Sequence, residues 1–264
     1  MTEHRPTSQT LSDTLDPARA TALMATLGQG GTLGHGDPLP PFFHQIYFWE
    51  PHPPTDLGRD GHPKTGGFLP DLGLPRRMWA AGRLQWHRPL LAGIRAQKES
   101  RIEAVTRKDG RAGPLAFVRV RHDIRQRSAL ALTEWQELVY LGDDAARPSP
   151  PQARTDEDSR QSVRFDSTAL FRYSALTFNG HRIHYDEAYA RDVEGYDGLV
   201  VHGPLLAQNL MLLAAAKLGG LTEFSYRATA PLMHHQEAEL CWKSPGSLWV
   251  RGPDGRQCMQ AEAG

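Results

Sequence analysis

Residues 198–220 read GLVVHGPLLAQNLMLLAAAKLGG, and they set the problem that the rest of the chain has to solve. Pro204 stands where a helix tolerates proline, in its first turn, and Gly219-Gly220 stand where a helix stops, so the run predicts one helix over Pro204–Leu218. Leu205, Leu206, Leu210, Leu212, Leu213 and Ala214 to Ala216 leave it almost no polar face. A helix that is apolar nearly all round has to be wrapped by other elements. Strand-like stretches lie on both sides of it. Downstream, Glu223–Ala228, Gln236–Lys243, Ser247–Val250 and Gln257–Ala261 read as short strands. Upstream, Arg83–His87, Ala92–Val105, Leu115–His122 and Ser128–Leu141 alternate apolar with polar residues, with turn signals such as Asp109-Gly110 between them, as an antiparallel meander does. The fold class is α+β.

A weak internal repeat divides the chain. Leu84-Gln85-Trp86-His87-Arg88 runs into Pro89-Leu90, and Phe224-Ser225-Tyr226-Arg227 runs to Pro231-Leu232, each followed by a charged strand. Two copies of one small α+β unit suit 264 residues better than one large domain. The units are placed at 1–145 and 163–264, with a proline-rich, charged linker at 146–162. Within the first unit a helix is expected over Asp16–Leu27. Pro38–Pro75 follows as an irregular segment whose prolines exclude a central strand or helix interior. That segment also carries Phe42, Phe43, Tyr47, Phe48 and Trp49, so it reads as a packed lid or binding loop. The second unit is expected to open on a strand over Phe165–Phe178, then a short helix at Asp186–Arg191.

Composition removes several functions. Thirty Lys+Arg balance 30 Asp+Glu, so the net charge is zero, which argues against a nucleic-acid partner held by phosphate contacts and against a polybasic membrane anchor. The longest apolar run, Leu210–Ala216, is far shorter than the roughly 20 residues of a membrane span. The first ten residues have no apolar h-region, so the expected location is cytoplasmic. Cys241 and Cys258 alone make neither a disulfide framework nor a four-thiolate zinc site.

Chemistry concentrates in two places. Tyr173–Asp186 gathers Asn179, His181, Arg182 and His184 around Gly180. His202-Gly203 sits at the start of the apolar helix, where an unpaired backbone N–H and the positive end of the helix dipole favour developing negative charge. A base beside an oxyanion donor is a candidate reaction site.

These two stretches, with Pro40–His44, Gly66–Pro70 and Pro75–Arg83, resemble the MaoC-like, R-specific enoyl-thioester hydratases of the hot dog fold. The likeness is to the branch holding the type 2 3-hydroxyacyl-thioester dehydratases and the mesaconyl-C4-CoA and itaconyl-CoA hydratases. It implies a double hot dog, each unit a curved antiparallel sheet around a helix. It also implies a hydro-lyase acting on a CoA thioester, with no metal and no cofactor beyond the CoA of the substrate, and a possible homodimer. The family motif Asp-x-Asn-Pro-x-His falls on Asn179, His181, Arg182 and His184, so only the last histidine is retained. A carboxamide cannot take a proton as a carboxylate does. The resemblance therefore implies that His184 is the main acid and base, Asn179 orients the water, and the Gly203 N–H meets the enolate oxygen. His181, Arg182, His202, Arg76, Arg77 and Trp79 are the expected substrate contacts, Arg182 as partner of a C5 dicarboxylyl group and the others toward the thioester and CoA. The competing readings are a dehydratase of fatty acid metabolism, a hot dog thioesterase, a non-catalytic acyl-CoA-binding module, and a metal-dependent hydrolase using His181, His184 and His202. The His-x-x-His spacing and missing Glu speak against the last.

Overall fold

A computed structural model describes residues 8–110, 113–143 and 149–264. In the first half, β1 (Ser8–Thr14) leads through Asp16 into α1 (Pro17–Thr26), with the Asp16 carboxylate accepting the Ala18 N–H at 2.9 Å. The proline-rich segment follows, then the meander β2 (Arg76–Trp86), β3 (Arg95–Gly110), β4 (Gly113–Gln126) and β5 (Ala129–Leu141). The second half repeats this order with β6 (Ser159–Arg164), α2 (Ser167–Thr177), α3 (Gly203–Leu218) and the meander β7 (Glu223–Ala228), β8 (Glu237–Lys243), β9 (Ser247–Arg251) and β10 (Gln257–Ala263).

All ten strands form one sheet in the order β1-β3-β4-β5-β2-β7-β10-β9-β8-β6. Read from either end, the order is the same once each first-half strand is replaced by its second-half counterpart. The halves join where β2 and β7 pair antiparallel, and Leu84 lies opposite Phe224 there, the two residues that head the sequence repeat. α3 packs against β7 to β10. It buries Leu205, Leu206, Leu210, Met211 and Ala214 in a core that includes Leu240, Leu248, Val250 and Met259. The halves differ between the first helix and the meander. Where the second half has α3, the first half has the proline-rich chain, and Phe42, Phe43, Ile46, Tyr47 and Phe48 bury their side chains in the same core. Among the described residues no helix is long and apolar enough to cross a membrane.

Two expectations fail. Phe165–Phe178 is not a strand. Asp166 caps α2 by accepting the Ala169 N–H at 2.8 Å. The buried residues Leu170, Tyr173 and Ser174 follow helical spacing, while Phe171 and Phe178 face solvent. A capping carboxylate followed by good helix formers outweighs the aromatic, β-like appearance of the run. The linker expected to reach residue 162 ends earlier. Ser159–Arg164 pairs with β8 along the sheet edge, from Ser159 opposite Trp242 to Arg164 opposite Glu237. Its polar side chains reflect an edge position rather than an unstructured one. Residues 144–148, part of which fall in that expected linker, lie outside the described residues. The expected short helix at Asp186–Arg191 is present, α-helical at Glu187 and Ala188 and widening into a π-helix over Tyr189–Val193.

The β2–β7 junction needs a residue without a side chain. A Cβ on Gly82 would sit 2.7 Å from the ring of Tyr226, which lies directly opposite and is hemmed in by Phe42, Trp79 and Phe224. Gly82→Ala is expected to destabilise the protein by about 1–3 kcal/mol through overpacking, read as a lower midpoint in thermal or urea unfolding. An unchanged midpoint would mean that the ring can step aside.

Candidate active site

The start of α3 and the turn after α2 meet between the halves. His202 caps α3 with its backbone, and Pro204 has no N–H to offer. The first free donor of the helix is therefore the Gly203 N–H, for which the described residues provide no backbone acceptor. A Cβ on Gly203 would have only the Trp79 carbonyl within 4 Å, at 3.9 Å, so there is room on the Cβ side of this residue.

His184 ends the 3-10 turn Arg182–His184. Two bonds join this turn to the strand-like entry into α3. The Val200 N–H donates to the Ile183 carbonyl at 2.9 Å, and His184 Nδ1 lies 2.7 Å from the Val200 carbonyl. A carbonyl only accepts, so Nδ1 carries the hydrogen and Nε2 keeps the lone pair. The His184 ring stacks on His202 at 3.6 Å between centroids, 22° from parallel. His202 lies 2.8 Å through Nε2 from the Ser174 hydroxyl, and its Nδ1 is buried without a protein partner. Burial first, and the neighbouring His181 second, bring the His184 imidazole down to about 3. Burial and then His184 push His202 well below its ordinary value. Both rings are neutral at neutral pH.

Asn179 and His181 are joined within one turn. The Asn179 side-chain oxygen accepts the His181 backbone N–H at 3.0 Å, closing an Asx turn just after Phe178 has ended α2 in the left-handed conformation. That leaves only the Asn179 amide to meet a water. The His181 ring lies 5.3 Å from His184 on one side and 4.2 Å from His62 on the other. His62 comes from the first half, and its Nδ1 is 2.8 Å from Asp60 Oδ2. Sequence reading missed both Asp60 and His62, since Asp-Gly-His in a loop full of Gly and Pro carries no spacing signal of its own.

The loop bearing them is docked by its backbone. The Arg182 N–H donates to the Asp60 carbonyl at 2.9 Å, the Arg182 guanidinium donates to the Arg59 carbonyl at 3.1 Å, and Gly61 and Gly180 touch main chain to main chain. A methyl group on Gly61 would run into the Gly180 carbonyl, and its φ of +85° suits glycine in any case. Among the described residues, Asp60, His62 and His181 form the convergent set of potential metal donors, within 4.8 Å of one another, rather than His181, His184 and His202. The His184 and His202 rings lie face to face, and Asp60 and His62 already bond each other.

The expected substrate contacts divide. Arg77 sits close enough to lower both His62 and His181 by its charge. Trp79 stands beside Gly203 with its indole N–H on the Ala81 carbonyl at 2.9 Å. Arg76 pairs with Glu194 at 3.3 Å in a small separate pocket. Arg182 is committed elsewhere than expected. Its i,i+4 spacing brings Asp186 Oδ2 to 2.7 Å, and its guanidinium lies 4.1 Å from the Tyr189 ring centroid.

A further cavity of about 210 Å³ adjoins these residues through Pro63, Thr177 and Phe178. Its walls include His44, Tyr47, Phe48 and Trp49 from the proline-rich segment, with Lys98 and Glu134 from the first-half sheet. Burial works to raise Glu134, but the charge and hydrogen bond of His44 outweigh it and hold the carboxyl low. Glu134 also accepts from Gln45 at 2.9 Å and from Gln136 at 3.2 Å.

The neutral histidines make stability depend on pH. His122, His184 and His202 are buried with folded pKa values below that of a free histidine, about 4 for His122 and about 3 for His184. Below about pH 6.5 the unfolded chain takes up protons that the folded chain refuses, so stability falls as pH drops toward the folded values. Each such histidine contributes a slope of roughly 1.4 kcal/mol per pH unit in that window. Urea unfolding between pH 7 and 5 is expected to show a falling stability, with a shallower slope in His122→Gln. A flat profile would show that these rings protonate in place.

The residues 42–234 match the family of hydroxyacyl-thioester dehydratases of type 2. The mesaconyl-C(4)-CoA hydratase of Chloroflexus aurantiacus is 41% identical over 262 residues, covering 96% of this chain and 94% of that protein. Among solved structures, HtdX of Mycobacterium tuberculosis superposes with a TM-score of 0.68 at 18% identity, covering 97% of this chain and 98% of that one. A second M. tuberculosis protein, described as a double hotdog fold, gives a TM-score of 0.56 at 15% identity over 97% of this chain and 94% of that one. The symmetric ten-stranded sheet around α3 is thus a double hot dog, and the chain belongs to the hydroxyacyl-thioester dehydratase type 2 family.

Proposed function

We propose that this protein adds water across the double bond of a short dicarboxylyl-CoA, with mesaconyl-C4-CoA as first candidate and itaconyl-CoA as second, and catalyses the reverse dehydration. The observation that carries the reaction type is the stacking of the His184 ring, whose Nε2 keeps its lone pair, on the ring of His202, the residue that precedes the Gly203 N–H. Attack of water on the β-carbon of an enoyl thioester drives the π electrons onto the carbonyl oxygen. A preorganised N–H at a helix start is suited to receive that charge, and donors of this kind are worth roughly 10²–10³ in rate. His184 Nε2 can accept a hydrogen bond from the attacking water and fix its position.

The acyl class rests on two supports. One is the 41% identity to a hydratase named for mesaconyl-C(4)-CoA. The other is Lys98. Its ammonium lines the cavity beside the site, lies 5.4 Å from the Phe48 ring centroid, and has no carboxylate within 4 Å among the described residues. Burial first lowers its pKa, while the charges of Glu50 and Glu134, which line the same cavity, raise it, so a substrate carboxylate arriving there would share this ammonium with two protein carboxylates. Lys98 replaces Arg182 as the residue suited to the free carboxylate. A cavity of about 210 Å³ fits a short acyl group better than a fatty chain.

Hydration of crotonyl-, mesaconyl-, itaconyl- and long-chain enoyl-CoA, followed by loss of enoyl absorbance, tests this reading, with free thiol measured alongside. Mesaconyl-C4-CoA is expected to give the highest kcat/KM. His184→Ala is expected to lose about 10²-fold or more in kcat while remaining folded. Lys98→Met is expected to lower the mesaconyl-to-crotonyl ratio of kcat/KM at least tenfold. Preference for long chains points to fatty acid metabolism, thiol release to a thioesterase, and binding without turnover to a carrier module.

A further inference from the structure

Hydration needs a group that holds a proton between its departure from water and its arrival at the α-carbon. The family motif has a carboxylate at position 179, whereas this chain has Asn179 with its oxygen engaged by His181. His184 is poorly suited to be an imidazolium. It faces the uncharged rings of His202 and His181 and donates from Nδ1 to a neutral carbonyl. The site does contain a carboxylate, Asp60, and it arrives from the other half of the molecule.

We propose that His62, backed by Asp60, is the catalytic group that carries this proton, with Asp60 a positioning residue acting through it, so that the first half supplies the acid–base pair missing from the second. The proposal rests on the hydration reading. Asp60 Oδ2 lies 2.8 Å from His62 Nδ1, and its Oδ1 accepts the His62 backbone N–H at 3.1 Å. Nδ1 therefore carries the hydrogen, and Nε2 is left with the lone pair. Burial works to raise Asp60, but the side-chain and backbone hydrogen bonds from His62 oppose it, and the carboxyl is held at about 2. The carboxylate is present throughout the working range and stabilises an imidazolium formed beside it. Two other elements face the His62 ring. His181 lies at 4.2 Å from the turn after α2, and Arg77 on β2 acts on it as a positive charge. Burial first and Arg77 after it keep His62 neutral at rest, against the pull of Asp60.

The step balances in atoms and electrons. A lone pair of the water oxygen forms the bond to Cβ as one O–H bond breaks and its proton passes to His62 Nε2. The C=C π pair moves through Cα to the thioester oxygen, where the Gly203 N–H meets it. The enolate then collapses, Cα takes the proton from Nε2, and His62 is neutral again.

The test compares wild type with His62→Gln, Asp60→Asn, Asp60→Glu and the Asp60→Asn/His62→Gln double variant, using the best enoyl-CoA and the unreactive butyryl-CoA as binding probe. His62→Gln is expected to lower kcat at least 100-fold with the butyryl-CoA Kd changed less than threefold. Asp60→Asn is expected to lower kcat at least tenfold and move the acid limb of kcat/KM to lower pH, because His62 loses the anion that favours its protonation. Asp60→Glu is expected to recover part of that loss. The double variant is expected to be no worse than His62→Gln alone, since the two act as a unit. Any of three results overturns the proposal: His62→Gln within threefold of wild type in kcat, multiplying losses in the double variant, or a stoichiometric metal lost with activity on chelation and absent from Asp60→Asn. A wild type that hydrates none of the enoyl-CoAs overturns the hydration reading and the proton-carrying role with it. A wild type that hydrates them as well as His62→Gln does overturns the His62 role alone.

Discussion

Everything in this molecule follows from the need to hide α3. Sixteen residues with Leu205, Leu206, Leu210, Met211 and Ala214 buried and no polar stripe leave water little of the helix beyond its C-terminal end, where Ala216, Lys217 and Leu218 emerge. A buried leucine is worth about 1.5–3 kcal/mol, so an unwrapped α3 would forfeit more than the net stability of an ordinary domain. Four short strands, β7 to β10, curve over it. Their inner edge, β7, would be open were it not continued by β2, and the pairing from Ala81–Arg227 to Gln85–Glu223 turns two half-sheets into one.

The same burial determines where chemistry can happen. The C-terminal end of α3 reaches solvent, whereas its N-terminus is enclosed, with His202 fully buried. A helix start exposes donors whether or not anything is there to use them. Here the Gly203 N–H follows the fully buried His202, and the first half approaches it through the Trp79 main chain and has its proline-rich segment where the second half has a long helix. The prolines that forbid a helix in that segment are thus the reason there is room for a loop and a cavity. Symmetry builds the scaffold, and its breakage builds the site.

The architecture was legible because it is written in periodicity. The limits of α3 and β7 and the four meander strands of each half follow from apolar spacing and from Gly and Pro punctuation. Where it misled, local chemistry competed with pattern. Phe165–Phe178 looks like a strand by its aromatics, yet one capping carboxylate at Asp166 and the Leu170, Tyr173, Ser174 spacing make it α2. The site was half legible. His184, His202 and Gly203 sit within a short stretch on either side of one helix start, so sequence proximity reflects spatial proximity. Asp60 and His62 lie over a hundred residues away, and what brings them in is main-chain contact between Gly61 and Gly180, which has no side-chain signature at all. Arg182, expected at the substrate's free carboxylate, has a local partner in the structure. Asp186, four residues on, satisfies it locally before any substrate can.

The cluster of imidazoles raises a charge problem whose solution ties the halves together. His62, His181, His184 and His202 form a continuous run of rings, with successive centroids 4.2, 5.3 and 3.6 Å apart. In a low-dielectric site two of them cannot be cationic at once, and burial alone would keep all of them neutral. A run of neutral imidazoles accepts protons reluctantly, so any charge it takes must settle where an anion waits. That place is at the end of the run furthest from the buried His202, where Asp60 bonds His62. The second half thus contributes the oxyanion donor and a water-orienting nitrogen, and among the described residues none of His181, His184 and His202 has a second-half carboxylate bonded to it, Asp186 being paired with Arg182. Docking of the first-half loop completes the electrostatics as well as the walls. A separated second half could keep its helix and its histidines and still lack a place for the proton.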